Sequence, residues 1–146
     1  MPVQSKQIKI RNALSGKGEL TKVKYNNVIY SVGDVVEVMM YGYPNNSLAQ
    51  ITKVVLGQDL NKESFWPMVK VKWYYSKNDL KNEGALKDVD FISSYEVFSS
   101  THQDPIFVET IVKKVKVIPF TEYEQLTNCN EFTEDLYFTR ASYDIV

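Results

Sequence analysis

Val69-Lys70-Val71-Lys72-Trp73-Tyr74-Tyr75 alternates apolar and charged residues and then ends in three consecutive aromatics. Alternation at period two is the signature of a half-buried β-strand. Val69, Val71, Trp73 and Tyr75 then share one face, and Lys70, Lys72 and Tyr74 share the other. The valines suit a core. The Trp and Tyr at the strand end can project past that core and form two walls of a box. Ring faces attract a methylated ammonium without giving or taking hydrogen bonds, so such a box is a device for holding that cation. The competing role for these rings, and for the other aromatics of the chain, is to pack the interior of a small β domain.

Outward from this strand, short β segments and turns alternate. Val28-Ile29-Tyr30 leads to a turn at Val32-Gly33-Asp34, and the run Val35 to Tyr41 predicts a strand with Val36, Val38 and Met40 on one face. Tyr41-Gly42-Tyr43-Pro44-Asn45-Asn46-Ser47 is a loop by its Gly, Pro and paired Asn, with two tyrosines in it. Leu48 to Leu56 predicts a strand, and Ser76 to Asp90 a charged surface loop with a helical turn. Tyr95 to Phe98 predicts a short strand, and Ser99 to Pro105 a polar loop. Val108 to Pro119 predicts a longer strand, Thr121 the start of a capped helix, and Leu136-Tyr137-Phe138 a last strand. Many short strands with little helix predict a mainly β domain, a compact barrel or curled sheet with small helical decorations.

The 146 residues suit one domain with a real core, and the formal net charge of -1 argues against a protein whose task is to coat nucleic acid. The charge is uneven. Lys6, Lys9, Arg11, Lys17, Lys22 and Lys24 make a basic N-terminal arm, while Glu122, Glu124, Glu131, Glu134, Asp135 and Asp144 make an acidic end. Cys129 is the only cysteine and His102 the only histidine, so no internal disulfide and no cysteine- or histidine-rich metal site is expected. A lone thiol suits the cytosol or nucleus. No catalytic constellation, cofactor motif or membrane-spanning run is visible, so neither an enzyme, a cofactor nor a membrane partner is expected.

Several segments fall in a familiar order: Tyr30-x-Val32-Gly33-Asp34-Val35-Val36-x-Val38, then Ala49-Gln50-Ile51-Thr52-Lys53-Val54, then Val69 to Tyr75. Tyr95-Glu96-Val97-Phe98-Ser99-Ser100-Thr101-His102-Gln103-Asp104 follows, then Val108-Glu109-Thr110-Ile111-x-x-Lys114-Val115-Lys116-Val117, and finally Tyr137-Phe138-Thr139-Arg140-x-x-Tyr143-Asp144. In this order and spacing the chain resembles the bromo-adjacent homology (BAH) domain of chromatin proteins, with residues 1–24 as a partly ordered basic arm and 25–146 as the domain. The resemblance implies a distorted β-barrel with short peripheral helices and long loops. It also implies a nuclear interaction module rather than a catalyst, with chromatin proteins as partners and weak or no direct DNA contact.

Some members of that family read methylated lysine in histone tails, a function tied to transcription regulation and gene silencing. In readers of the Polycomb-type trimethyl mark, the cage uses the Trp and the second Tyr of a W-Y-Y motif, and the His and Asp of an S-x-H-x-D segment help hold the peptide. By that resemblance the cage residues here are Trp73 and Tyr75, and the peptide-binding residues are His102 and Asp104. One position departs: Ser47 stands where readers often carry a further cage aromatic. Tyr41 or Tyr43, in the loop just upstream, can supply the missing wall. Asp79 joins Asp104 as a source of negative field near the cage. The alternative is a BAH module that binds a protein partner or the nucleosome without reading methylation.

Overall fold

The computed structural model describes residues 21–58, 65–82, 84, 92–128 and 135–142. The basic arm before Thr21, Cys129, and the acidic Glu131, Glu134 and Asp144 lie outside the described residues.

Lys22–Tyr25 (β1) and Val28–Ser31 (β2) form an antiparallel hairpin. Asn26 and Asn27 make its two-residue turn at φ of 49° and 63°, a left-handed pair that asparagine tolerates better than most residues. Val23 pairs with Tyr30, and both are buried, which seats the hairpin on the core and leaves Lys22 and Lys24 in solvent. These two lysines of the expected arm are therefore strand residues.

The remaining strands are Val35–Val38 (β3), Ser47–Gln58 (β4), Phe65–Tyr75 (β5), Phe98–Phe107 (β6), Ile111–Pro119 (β7) and Leu136–Thr139 (β8). Lys77–Asn82 (α1) follows β5, a 3₁₀ turn at Val108–Thr110 precedes β7, and Phe120–Asn128 (α2) follows it. The six strands form one sheet in the order β6-β5-β4-β3-β7-β8, antiparallel throughout except between β7 and β8. The fold is mainly β, as the alternating segments predict.

The sheet curls until its two ends meet at one corner. The chain entering β6 runs along β8: Val97 N donates to Phe138 O at 2.9 Å, Phe138 N to Tyr95 O at 2.9 Å, and Ser99 N to Ala141 O at 3.3 Å. The result is a curled, barrel-like sheet whose ends are linked by isolated bridges and not closed by a continuous ladder. Glu96, only 2% exposed, lies at this corner and is met by a two-pronged Arg140 at 2.8 and 3.1 Å. A buried carboxylate needs such a partner. α2 covers β8 through Tyr123 and Phe120, whose rings sit 4.5 and 5.2 Å from that of Phe138.

The core on one face of the sheet is built from Val36, Val38, Ala49, Ile51, Val69, Val71, Trp73 and Tyr75, with Ile106, Val108 and the β1–β2 hairpin packed on them. On the other face Leu48, Val97 and Val115 pack with Val35, Tyr74, Val117 and Tyr137. The split of the W-Y-Y run between two faces is thus realised: Trp73 and Tyr75 on one side, Tyr74 on the other.

Four local expectations are corrected. Ser99 to Pro105 is strand, not loop. It reads as loop because β6 is an edge strand whose outward residues are polar, and because Pro105, which lacks an N–H, is tolerated at an edge. β3 stops at Val38 rather than Tyr41, where the backbone turns away. The strand expected from Val108 starts at Ile111, after the 3₁₀ turn. The strand expected at Tyr95–Phe98 is a single bridge at Glu96 that leads into β6.

Candidate functional site

The site grows from a break in the β5–β6 ladder. Lys72 pairs with Gln103 and Tyr74 with Ser99, so Trp73 alone faces the extra residues Ser100, Thr101 and His102. Ser100 holds this bulge together. Its buried hydroxyl donates to Trp73 O at 2.7 Å and accepts from His102 N at 3.2 Å. Directly paired residues share a face, so the pairing of Asp104 with Val71 puts the Asp104 carboxylate on the side of Val71, Trp73 and Tyr75.

There the side chains form one chain of hydrogen bonds. Trp73 Nε1 donates to Asp104 Oδ2 at 2.7 Å, His102 Nε2 lies 3.2 Å from the same oxygen, and Tyr75 Oη lies 2.8 Å from His102 Nδ1. A neutral imidazole satisfies every link when Nε2–H donates to Asp104 and Nδ1 accepts from the Tyr75 hydroxyl. The Tyr75 and His102 rings lie end to end, with centroids 6.5 Å and planes 19° apart. Trp73 and Tyr75 are each 7% exposed, whereas the His102 and Asp104 side chains are about half exposed. Both cage candidates thus have their polar tips tied within the protein.

These residues border a cavity of about 230 Å³ whose walls include Trp73, Tyr75, His102 and Asp104. Tyr43, Ser47 and Asp79 complete the predicted part of the lining. Met40 and Tyr74 line it as well. Asp79 is fixed by a reciprocal cap at the start of α1: its Oδ2 accepts from Ser76 N at 2.9 Å and Ser76 Oγ at 3.0 Å, and its own N–H donates to Ser76 Oγ at 3.3 Å. Among the described residues no Lys or Arg lines the cavity, and two carboxylates do.

A tight turn separates the two loop tyrosines. Tyr43 N donates to Met40 O at 3.1 Å, and Gly42 at φ 85° occupies the position where such a turn calls for glycine. Tyr41, at the outer corner, is fully exposed and does not line the cavity; Tyr43, past the turn, does. Ser47 opens β4 opposite Val38 and brings no ring.

Ser100 and Met40 were missed by sequence reasoning. Ser100 is the first residue of the S-x-H-x-D segment, so its signal lay in the motif. Met40 follows the inward Val36 and Val38 at the same spacing. Among the described residues no group of His, Cys, Asp and Glu converges to hold a metal.

No known family model matches the chain. Among solved structures it is similar to the crystal structure of the yeast Rsc2 BAH domain, with a TM-score of 0.59 and 18% identity, over 87% of this chain. The chain has the BAH fold. It spans about half of that solved chain, 51%. Within this fold the cavity lies at the β5–β6 bulge, bordered by Met40, Tyr43 and Ser47 and by Asp79 at the start of α1.

Proposed function

We propose that this chain is a chromatin-associated, non-catalytic interaction module of the nucleus that binds a methylated lysine in a histone tail. The trimethylated lysine of a Polycomb-type mark enters the cavity bounded by Trp73, Tyr75 and Tyr43. The observation that carries this proposal is the spent hydrogen-bonding capacity of the two buried rings, the Trp73 N–H on Asp104 and the Tyr75 hydroxyl on His102. A guest there meets ring carbon and the field of Asp79 and Asp104. Those surroundings favour a cation, and the ring carbon suits the methyl groups of a trimethylammonium. A desolvated cation–π contact contributes about 2 kcal/mol, so a third ring from Tyr43 adds materially to two walls. Among the described residues no strand pairs with the outer edge of β6 beyond Ser99, and that edge offers the peptide backbone a strand to pair with. The near-zero net charge goes with weak or no direct DNA contact.

Ser47 supports a second reading, a BAH module that docks on a protein or nucleosome without sensing methylation, because it leaves one wall of the cage to an exposed loop tyrosine. A histone peptide array separates the two. Selective retention of trimethylated peptides supports the reader, and uniform binding across methylation states supports the second reading.

A further inference from the structure

A second cavity of about 370 Å³ adjoins the first and shares Tyr43, Ser47, Tyr74 and Asp79 with it. Its apolar floor comes from one row across the sheet, in which Tyr74 pairs with Leu48 and Leu48 with Glu37, and from Val97 beside them. Glu37 and Asp79 bring two carboxylates to its walls, Asn45, Asn78 and Asn82 add neutral amides, and among the described residues no Lys or Arg lines it. Glu37 is held by the Asn46 amide, whose Nδ2 donates to Oε2 at 3.2 Å. Lys113 pairs with Glu37 across β3 and β7, but its ammonium is bonded to Asp135 at 2.7 Å.

An apolar floor with carboxylates at the side matches a long basic side chain, which lays its carbon stem on hydrophobic surface and keeps its charge at the polar rim. A planar guanidinium is suited to carboxylate and amide oxygens that approach it from the side. The shared walls make the two cavities adjoin round the end of β4 and β5, the cage on the Trp73 and Tyr75 face and this cavity on the Tyr74 face. Neighbouring residues of one extended peptide, about 3.3–3.6 Å apart, can therefore serve both. Resting on the reader function proposed above, we infer that the larger cavity is a second cation subsite, which takes an unmodified arginine standing close to the methylated lysine. The ligand class is then a basic peptide with two cationic positions, one methylated and one not, and Glu37 sets the second preference.

The test uses the full chain and synthetic peptides that carry trimethyl-lysine or unmodified lysine, with arginine or its neutral isostere citrulline at each flanking position. Calorimetric titration is expected to give about a tenfold preference for arginine over citrulline at one flanking position, the scale of one charge-assisted hydrogen bond. Glu37→Gln is expected to remove that preference. Asn78→Lys, an exposed change that puts an ammonium at the cavity wall, is expected to do the same. Equal binding of arginine and citrulline peptides, with trimethyl-lysine still preferred, overturns the subsite and leaves the reader. An arginine preference unchanged in both variants also overturns it. An arginine preference that depends on Glu37 but appears without any preference for trimethyl-lysine upholds the subsite and overturns the reader.

Discussion

Trp73 and Asp104 are joined across the β5–β6 bulge by a 2.7 Å hydrogen bond from the indole N–H to the carboxylate. The same oxygen lies within reach of His102, which in turn meets the Tyr75 hydroxyl. One carboxylate therefore orients both rings of the candidate cage, directly for Trp73 and through an imidazole for Tyr75. It is a positioning group as well as a source of negative field.

Asp104→Ala is expected to cost stability and binding together. The Trp73 N–H, in a ring 7% exposed, loses its acceptor, and the half-exposed position of Asp104 keeps the loss near the lower end of an unmade buried hydrogen bond, about 1 kcal/mol. Affinity for a trimethyl-lysine peptide should fall about tenfold or more, since both rings are released and a carboxylate is lost. Denaturant titration and calorimetry read the two effects on one sample.

Ser100→Ala tests the bulge itself. The change strips the Trp73 carbonyl and the His102 N–H of their buried partner, at a cost of about 1–3 kcal/mol. The denaturant midpoint should drop with the slope unchanged. An unaltered midpoint would show that the bulge holds without this hydroxyl.

Tyr43→Ala and Tyr41→Ala should differ although the two rings stand side by side in sequence. Loss of the lining tyrosine is expected to weaken trimethyl-peptide binding by about tenfold, one cation–π wall. Loss of the outer one should leave affinity unchanged. Both changes fall on the surface and should alter stability by less than about 0.5 kcal/mol. Equal effects, or none for Tyr43, would remove the third wall.

The contrast between these tyrosines shows where sequence reading stops. Alternation marked β5 and the inward side of Trp73 and Tyr75, because a half-buried strand writes its faces at period two. It did not mark β6, whose edge position makes Ser, Thr, Gln and Pro acceptable in a strand and so gives it the composition of a loop. It left Tyr41 and Tyr43 equivalent, since the choice is made by a turn at Gly42. Nor did it pair Glu96 with Arg140, a long-range contact that exists only once the sheet has curled. Family resemblance singled out His102 and Asp104 as candidates, yet their link to the ring tips appears only in the folded bulge.

Alkaline solution should destabilise the fold through its buried phenols. Burial holds the phenols of Tyr30 and Tyr74 above their ordinary 10.0, and that of Tyr137 too, where Glu37 and Asp135 add to the effect. A group whose folded-state value is raised contributes stability that is complete below its unfolded value and is lost as pH rises through the folded one. Melting temperature should therefore hold up to about pH 10 and decline above it, with phenolate absorbance appearing together with unfolding. Tyr74→Phe should make the decline above about pH 10 shallower, and an unchanged decline would assign it to other groups.

The central claim is that Trp73 and Tyr75 hold a methylated ammonium, and calorimetric titration of the wild-type chain and of Trp73→Ala with paired histone-tail peptides tests it most directly. The wild type should bind the trimethyl-lysine peptide in the micromolar range, near 8 kcal/mol, and the unmodified peptide at least about tenfold more weakly. Trp73→Ala, verified as folded by its thermal melt, should lose that difference. Equal affinity of the wild type for both peptides, or a methyl preference that survives the loss of Trp73, would contradict the account.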